Sequence, residues 1–269
     1  MEASSQPGVS ERKTARLRTI WNADGTLTTG AGPALLAASI ICGDQLCVER
    51  DLRLLEEGNA DLLHFDVMDG IFVPRIGLGP ELLRAIRQAT ELPIDAHLML
   101  SDPERYIPVF AEAGADIITI HAEASSQLPR LLRLIRQCGC RPGVALNPAT
   151  PPDVITYLLD DIDVVLLLVV NPGSVGEQAI PAAMRKIADV HRQLGEEAKR
   201  IHILVDGNVK LSNAPDMIRS GATALVCGSS SIFSQKENVR DSLQAFRHGL
   251  ADKLGTYAAR EPFIGSHLR

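Results

Sequence analysis

Residues 163–171 read Asp-Val-Val-Leu-Leu-Leu-Val-Val-Asn, an unbroken apolar run between two polar residues. An apolar run on consecutive positions is typical of a strand that is covered on both faces, because a half-exposed strand would alternate apolar and polar residues. Strands covered on both faces belong to parallel sheets with helices packed against them. This stretch therefore predicts an α/β fold.

Similar short apolar runs recur from residue 34 to about residue 253, and segments with helical periodicity separate them. The predicted strands are Ala34–Ile40, Asp61–Asp66, Pro93–Met99, Asp116–His121, Arg141–Leu146, Asp163–Val169, Ile201–Asp206 and Thr223–Cys227. The predicted helices include Gly79–Thr90, Pro103–Ala113, Gln127–Gln137 and Pro181–Glu197. Eight strand–helix units of about 25 to 30 residues predict a single (β/α)8 TIM barrel. A doubly wound open sheet is the alternative, since it shows the same alternation.

The two ends of the chain differ from this repeating part. Residues 1–30 are rich in Ser, Thr, Gly, Arg and Glu, and they show no sustained apolar period. They also lack the apolar core of a secretory signal. We therefore expect three regions: a flexible or loosely docked N-terminal extension at 1–30, the barrel at 31–255 and a C-terminal tail at 256–269.

Composition excludes several classes of protein. The 269 residues carry a formal net charge of −6, whereas a protein that binds nucleic acid or an anionic membrane would have a basic footprint. No apolar run approaches the ~18 residues that a membrane-spanning helix needs. The five cysteines fit a reducing cytosol better than a disulfide framework. The sequence predicts a cytoplasmic protein that binds neither nucleic acid nor membrane.

Polar residues or glycine stand where each predicted strand ends. They are Ser39, His64, Asp66, His97, His121, Asn147, Asn171, Asp206, Gly228 and Ser229. In a barrel these ends converge on one mouth, where the active sites of this fold lie. By contrast, His191 and His202 are predicted to lie on the surface or on a helix face, without a chemical role.

Two histidines and two aspartates in this set predict a metal site. His64 and Asp66 are two residues apart, so they project from the same face of their strand. His97 ends the neighbouring strand and Asp206 ends a strand across the barrel. Nitrogen and oxygen ligands suit Zn, Mn or Fe. The alternative is that His64 and His97 are ordinary hydrogen-bonded core residues.

The two aspartates also predict two-base chemistry. If Asp66 and Asp206 approach one substrate carbon from opposite sides, one removes a proton and the other returns it to the other face. This inverts a carbon next to a carbonyl, and a metal ion would hold the enediolate charge. The environment of each aspartate should oppose full stabilisation of its charge, so that it remains a competent base.

The loops after the last three strands predict a phosphate site. They contain Gly173 and Gly176, then Gly207, and then Gly228 with Ser229. Loops at these positions of a barrel often present backbone N–H groups to a phosphate. Ordinary turn formation is the alternative. Met68 and Met99, near two strand ends, either pack in the core or form an apolar lid over the reacting carbon.

At these residues the chain resembles the ribulose-phosphate 3-epimerase family and its relatives such as allulose 6-phosphate 3-epimerase, over about residues 34–235. The matching segments are Ala38–Ile40, His64–Gly70, Phe72–Pro74, Asp95–Met99, Ile120–His121, Leu146–Thr150, Asn171–Gly173 and Val205–Gly207. The resemblance implies a (β/α)8 homo-oligomer that acts on a sugar phosphate. It implies one divalent ion (Zn, with Mn, Fe, Co or Mg as alternatives) held by His64, Asp66, His97 and Asp206. It also implies Asp66 and Asp206 as the acid/base pair and substrate contacts from Ser39, His97, Met68, Met99 and the phosphate-loop residues.

The phosphate end departs from the family pattern. Ser174-Val175-Gly176-Glu177 stands where the family usually has Phe-Gly-Gly-Gln, and Asn208 stands where a second Gly is common. Glu177 places a negative charge beside a site for a dianion. The preferred substrate is D-ribulose 5-phosphate, converted to D-xylulose 5-phosphate. The alternatives are a hexulose phosphate such as allulose 6-phosphate, a non-phosphorylated keto sugar, or a catalytically silent sugar-phosphate sensor.

Overall fold

Eight parallel strands close into a barrel in chain order, β1 to β8, in the computed structural model, which describes residues 9–28, 30–234 and 238–255. The strands are β1 Leu35–Ser39, β2 Leu62–Met68, β3 Ile94–Met99, β4 Ile117–His121, β5 Arg141–Leu146, β6 Val164–Leu168, β7 His202–Asp206 and β8 Ala224–Cys227. Since β1 pairs with both β2 and β8, the predicted barrel is confirmed and the open sheet is wrong.

The helices are α1 Val9–Leu17, α2 Val48–Glu57, α3 Pro80–Ala89, α4 Ile107–Ala113, α5 Leu128–Gln137, α6 Pro181–Leu194, α7 Ala214–Arg219 and α8 Val239–Leu254. Helices α2 to α8 cover the outside of the barrel, and α1 lies against its amino-terminal end. Between β5 and β6 the chain forms only short 3-10 turns, at Pro152–Ile155 and Leu159–Asp161. Prolines at 148, 151 and 152 lack the amide hydrogens that a longer helix would use there. In the described ranges, no helix is long and apolar enough to cross a membrane.

Side chains alternate across each strand, and this alternation separates the core from the site. On β2, Phe65 packs outward, with its ring 6.5 Å from that of Phe110 on α4. Its neighbours His64 and Asp66 therefore face the interior of the barrel. The prediction ended β2 at Asp66, but the strand continues to Met68. The longer strand places Asp66 within the ladder, opposite His97 of β3.

A glycine makes room for the polar layer inside the barrel. A Cβ atom at Gly143 on β5 would lie 2.3 Å from Oγ1 of Thr119 on the adjacent strand β4. This separation is far below van der Waals contact, so the close approach of Thr119 requires glycine at 143. The Thr119 hydroxyl is thereby free to donate to Oδ1 of Asp95 at 2.8 Å.

The N-terminal segment packs against the end of the barrel opposite the polar strand ends. Ile20 and Trp21 are 1% and 2% exposed, and they belong to an apolar cluster that includes Leu35 at the start of β1. The Trp21 Nε1–H donates to the carbonyl oxygen of Arg200 at 3.0 Å. On α1, Lys13 Nζ donates to the carbonyl of Ala115 at 2.7 Å. The expected C-terminal tail at 256–269 and residues 1–8 lie outside the described residues.

The structure corrects the sequence interpretation of His202. This residue begins β7, is 2% exposed and packs against Trp21, so the predicted surface position is wrong. Its Nε2–H donates to the carbonyl of Ile20 at 2.9 Å, and its Nδ1 accepts from the Thr223 hydroxyl at 3.0 Å. Burial lowers the pKa of His202 to about 4, so the ring is neutral at physiological pH. His191 lies on the exposed face of α6, as predicted.

Replacing Trp21 by alanine should destabilise the protein. Removal of this buried side chain leaves a cavity beneath the barrel, and such truncations cost about 3–5 kcal/mol. Urea unfolding followed by circular dichroism measures the loss. Tyr157→Ala is the control, since Tyr157 is 93% exposed and its truncation should cost less than about 0.5 kcal/mol. Equal losses in the two variants would contradict the packing of Trp21.

Folding stability should fall as the pH drops from about 6.5 towards 4, in part because of His202. The unfolded chain protonates this histidine near its ordinary pKa of 6.5, whereas the folded protein holds it neutral down to about 4. The unfolded state therefore binds more protons across this window, and His202 alone costs about 2 kcal/mol at pH 5 relative to pH 8. Urea titrations of His202→Gln should lack this component. His191→Gln should keep the full pH dependence of the wild type, and an unchanged slope in His202→Gln would refute the assignment.

Candidate active site

Four polar side chains meet at the carboxyl ends of β2, β3 and β7. His64, Asp66, His97 and Asp206 each offer one nitrogen or oxygen atom, and these four atoms lie within 4.8 Å of one another. The structure thus brings together the four residues that the sequence selected as metal ligands. Their roles remain predictions.

Asp66 is the centre of this cluster. Its Oδ1 lies 3.2 Å from Nε2 of His64 and 3.1 Å from Nδ1 of His97. Its Oδ2 accepts a hydrogen bond from the Ser39 hydroxyl at 3.0 Å. Burial by itself raises the pKa of Asp66, but the charge and hydrogen bonds of His64 and His97 outweigh burial and hold this pKa well below its ordinary value. Asp66 is therefore a carboxylate at neutral pH.

Asp206 has the opposite electrostatic environment. Burial of its carboxyl group and the nearby charge of Asp66 raise the pKa of Asp206 to about 7. The expectation that the surroundings oppose the charge of each aspartate thus holds for Asp206 and is wrong for Asp66. The reason is that both histidines lie against Asp66. One acid is ionised at neutral pH while the other can carry a proton.

His64 presents an unsatisfied nitrogen to the cluster. Its Nδ1 lies 3.0 Å from Oδ2 of the buried Asp95. Because a carboxylate only accepts, Nδ1 of His64 carries a hydrogen, and Nε2 is the nitrogen that a metal ion could take. This Nε2 is buried and, apart from its 3.2 Å ion-pair contact with Oδ1 of Asp66, has no hydrogen-bond partner among the described residues. A buried ring nitrogen beside two carboxylates fits a divalent cation, so the donor set is suited to a metal ion.

His97 and His121 extend the polar cluster towards β4. Their Nε2 atoms are 2.8 Å apart, and Nδ1 of His121 lies 3.2 Å from Oε2 of Glu123. The sequence marked His121 only as a strand end and did not single out Asp95 or Glu123. The sequence contains only a weak signal for these two acids. Asp95 lies near the start of β3 and Glu123 two residues after β4, and carboxylates at such positions are common outside active sites.

A cavity of about 230 Å³ opens above the cluster. Its lining contains every predicted substrate residue except His97: Ser39, Met68, Met99, Gly173, Gly176, Gly207, Gly228 and Ser229, together with Asp66 and Asp206. His97 is fully buried behind this lining and contacts Asp66 instead. Met68 and Met99 form an apolar cluster with Val73 beside the cavity.

Among the described residues of the cavity wall, acidic side chains outnumber basic ones. Glu177 lines the cavity with the two aspartates, and its Oε2 accepts from Nδ2 of Asn171 at 3.3 Å. Arg75, in the loop after β2, is the one Lys or Arg in this lining among the described residues. Arg75 could not be predicted from the sequence, because it follows its strand by seven residues and only the folded loop brings it to the cavity.

Comparison with known proteins places the chain in a family. Residues 35–233 match the description "Ribulose-phosphate 3 epimerase family". The ribulose-phosphate 3-epimerase of Bacillus subtilis (strain 168) is 45% identical over 75% of this chain and 93% of its own length. The enzyme of the same name from Escherichia coli (strain K12) is 41% identical over 76% of this chain and 90% of its own length.

Solved structures share the fold. KGPDC from Streptococcus mutans superposes with a TM-score of 0.61 at 15% identity, covering 82% of this chain and 98% of that one. A 3-hexulose-6-phosphate synthase superposes with a TM-score of 0.60 at 16% identity, covering 80% and 99%. At such low identity these likenesses establish the barrel alone.

The barrel and the sequence relatives together define a carbohydrate-active isomerase. The chain belongs to the ribulose-phosphate 3-epimerase family. The resemblance stated from sequence motifs is thereby confirmed, and so is the prediction of an enzyme rather than a silent sensor. A ketose phosphate epimerase is the activity that these relatives support.

Proposed function

We propose that this protein inverts C3 of D-ribulose 5-phosphate to form D-xylulose 5-phosphate, with a divalent metal ion and two bases. The observation that carries the proposal is the pair of carboxylates, Asp66 and Asp206, which share one cavity with His64 directly beside them. The family relatives support epimerisation of a ketose phosphate, and this geometry supplies the groups for it.

The two aspartates divide the proton transfers between them. In one direction Asp66, held as a carboxylate, removes the proton from C3 and leaves an enediolate. Asp206 then delivers a proton to the opposite face of the same carbon, which inverts its configuration. The reverse reaction exchanges the two roles. Met68 and Met99 cover the reacting carbon with apolar surface, which keeps water from competing as a proton donor.

The proposed metal ligands are Nε2 of His64, Nδ1 of His97 and one carboxylate oxygen each from Asp66 and Asp206. When bound, a divalent cation supplies positive charge that stabilises negative charge on the substrate oxygens. Two imidazoles with two carboxylates suit Zn most closely, and they also accept Mn, Fe, Co or Mg. The buried Nε2 of His64, for which the described residues offer no hydrogen-bond partner, supports this assignment.

The substrate is proposed to lie with its sugar over Ser39 and its phosphate against the backbone of Gly176, Gly207, Gly228 and Ser229. Glu177 favours a second candidate, because its carboxylate in the cavity wall would repel a phosphate dianion and accept hydrogen bonds from a sugar hydroxyl. This second candidate is an epimerase of a hexulose phosphate or of a non-phosphorylated keto sugar.

We also propose that the enzyme works in the cytoplasm as a homo-oligomer. All five cysteines are free thiols, which suits a reducing compartment. Leu46, Ile71 and Ile76 are 95%, 78% and 72% exposed in the loops after β1 and β2. Exposed apolar side chains on neighbouring loops are typical of an interface between subunits.

Asp206→Asn should abolish inversion. An amide neither accepts nor donates the C3 proton at a useful rate, and loss of an acid/base group typically costs 10²- to 10⁴-fold in rate. The measurement incubates metal-loaded enzyme with D-ribulose 5-phosphate in deuterium oxide and follows D-xylulose 5-phosphate carrying deuterium at C3. Asp153→Asn, an exposed carboxylate outside the cavity lining, is the matched control and should behave as wild type. Wild-type turnover by Asp206→Asn would eliminate the two-base mechanism.

Glu177→Gln should lower KM for D-ribulose 5-phosphate by roughly 3- to 10-fold, since it removes a like charge from the wall around the phosphate. Arg75→Gln should raise KM by a similar factor, because it removes the one Lys or Arg side chain that the described part of the chain contributes to the cavity wall. The KM for non-phosphorylated ribulose should respond much less to either change. If instead Glu177→Gln impairs turnover of a non-phosphorylated ketose that wild type prefers, the second candidate function is supported and the first fails.

A further inference from the structure

His97 and His121 share a hydrogen between two facing ring nitrogens. Their Nε2 atoms are 2.8 Å apart, both side chains are fully buried, and the rings stack at 5.0 Å between centroids. Two lone pairs at this distance would repel and two hydrogens would clash. One ring must therefore donate through Nε2 while the other accepts through Nε2.

Glu123 decides which ring is the acceptor. Nδ1 of His121 lies 3.2 Å from Oε2 of Glu123. Burial by itself would raise the pKa of Glu123, but hydrogen bonds from His121, Thr150 and the Asn147 backbone lower this pKa to about 2. Glu123 is thus an ionised acceptor, so Nδ1 of His121 carries a hydrogen. When His121 holds only this hydrogen, its Nε2 accepts, and His97 carries its own hydrogen on Nε2.

The position of Glu123 is itself fixed. Its Oε1 accepts from the N–H of Asn147 at 2.9 Å and from the Thr150 hydroxyl. The carbonyl of Asn147 in turn accepts from Nζ of the buried Lys186 at 2.7 Å. On the other side, the ring of Phe72 packs 4.7 Å from that of His121. The carboxylate and the imidazole therefore hold one orientation.

We propose that His121 and Glu123 are positioning residues that keep the hydrogen of His97 on Nε2 and so leave its Nδ1 lone pair free for the divalent ion. This inference rests on the metal site of the proposed function. Nδ1 of His97 lies 3.1 Å from Asp66 Oδ1, inside the four-residue cluster. Asp95 acts on His64 in the same way without an intermediary, since it accepts from Nδ1 of His64 and frees Nε2. A carboxylate thus orients each of the two histidine ligands, directly or through a second imidazole.

Glu123→Gln should reverse the positions of the hydrogens on His121 and His97, with almost no change in the shape of the side chain at 123. The glutamine oxygen keeps the two donors at Asn147 and Thr150, so its NH2 group replaces Oε2 and donates to Nδ1 of His121. His121 then carries its hydrogen on Nε2, and His97 is left with a hydrogen on Nδ1, where the ion would bind. Competition against a chromogenic chelator should show Zn²⁺ affinity roughly 10- to 100-fold weaker than wild type.

Glu104→Gln is the matched control, because it removes the same charge from an exposed pair with Arg130. Its Zn²⁺ affinity should stay within about twofold of wild type. Circular dichroism of the metal-free variants checks that both are folded. Excess Zn²⁺ should restore much of the epimerase activity of Glu123→Gln, since the catalytic aspartates are intact. Wild-type Zn²⁺ affinity in a folded Glu123→Gln protein would overturn the proposal.

Nitrogen-15 NMR of the histidine side chains provides the direct readout. In Zn²⁺-loaded wild type, we expect the hydrogen of His121 on Nδ1 and that of His97 on Nε2. A hydrogen on Nε2 of His121 would overturn the proposed role of His121 and Glu123 while leaving the metal site intact. If the wild type binds no Zn²⁺ at the four-residue cluster, the metal site of the proposed function fails as well, so the two failures are distinguishable.

Discussion

The carboxylate of Asp66 is buried at the point where β1, β2 and β3 meet, and this buried charge constrains the residues around it. An ionised group out of water is tolerated only with close partners. Two imidazoles and the Ser39 hydroxyl supply them at 3.0 to 3.2 Å. Because the partners come from three adjacent strands, the strand register must be correct before the charge can be satisfied.

The groups that contact Asp66 are themselves buried, and each is held by a further hydrogen-bond partner. His64 is oriented by Asp95, which is itself bonded to Thr119, and His97 faces His121, which contacts Glu123. Each of these groups is therefore placed by the next one, and the branch through Glu123 ends at the backbone N–H of Asn147 and the Thr150 hydroxyl. Such networks specify one arrangement, since a partly satisfied alternative leaves a buried donor or acceptor unpaired. Asp206 stands outside this support, so its carboxyl group retains a proton more readily than Asp66.

The apolar residues that close the barrel and the polar residues proposed for catalysis lie at opposite ends of it. The amino-terminal end is closed by Trp21 and Ile20, with the neutral His202 as a hydrogen-bond donor to the Ile20 carbonyl. The carboxyl end contains the charged cluster and the cavity. This separation is general for the fold, because changes in the loops after the strands leave the packing of the other end unaltered.

The apolar runs and the polar residues after them determine the eight strands, the barrel and the four proposed ligands, because parallel strands of a barrel end at a common mouth. The sequence alone could not assign His202, Glu123 or Arg75. His202 pairs with Ile20 across 182 positions of the chain, and the divergent pKa values of Asp66 and Asp206 arise from segments that meet only on folding. Local periodicity reports which face a residue occupies. The contacts that the residue makes on that face form only when the barrel closes, and those contacts set its protonation state.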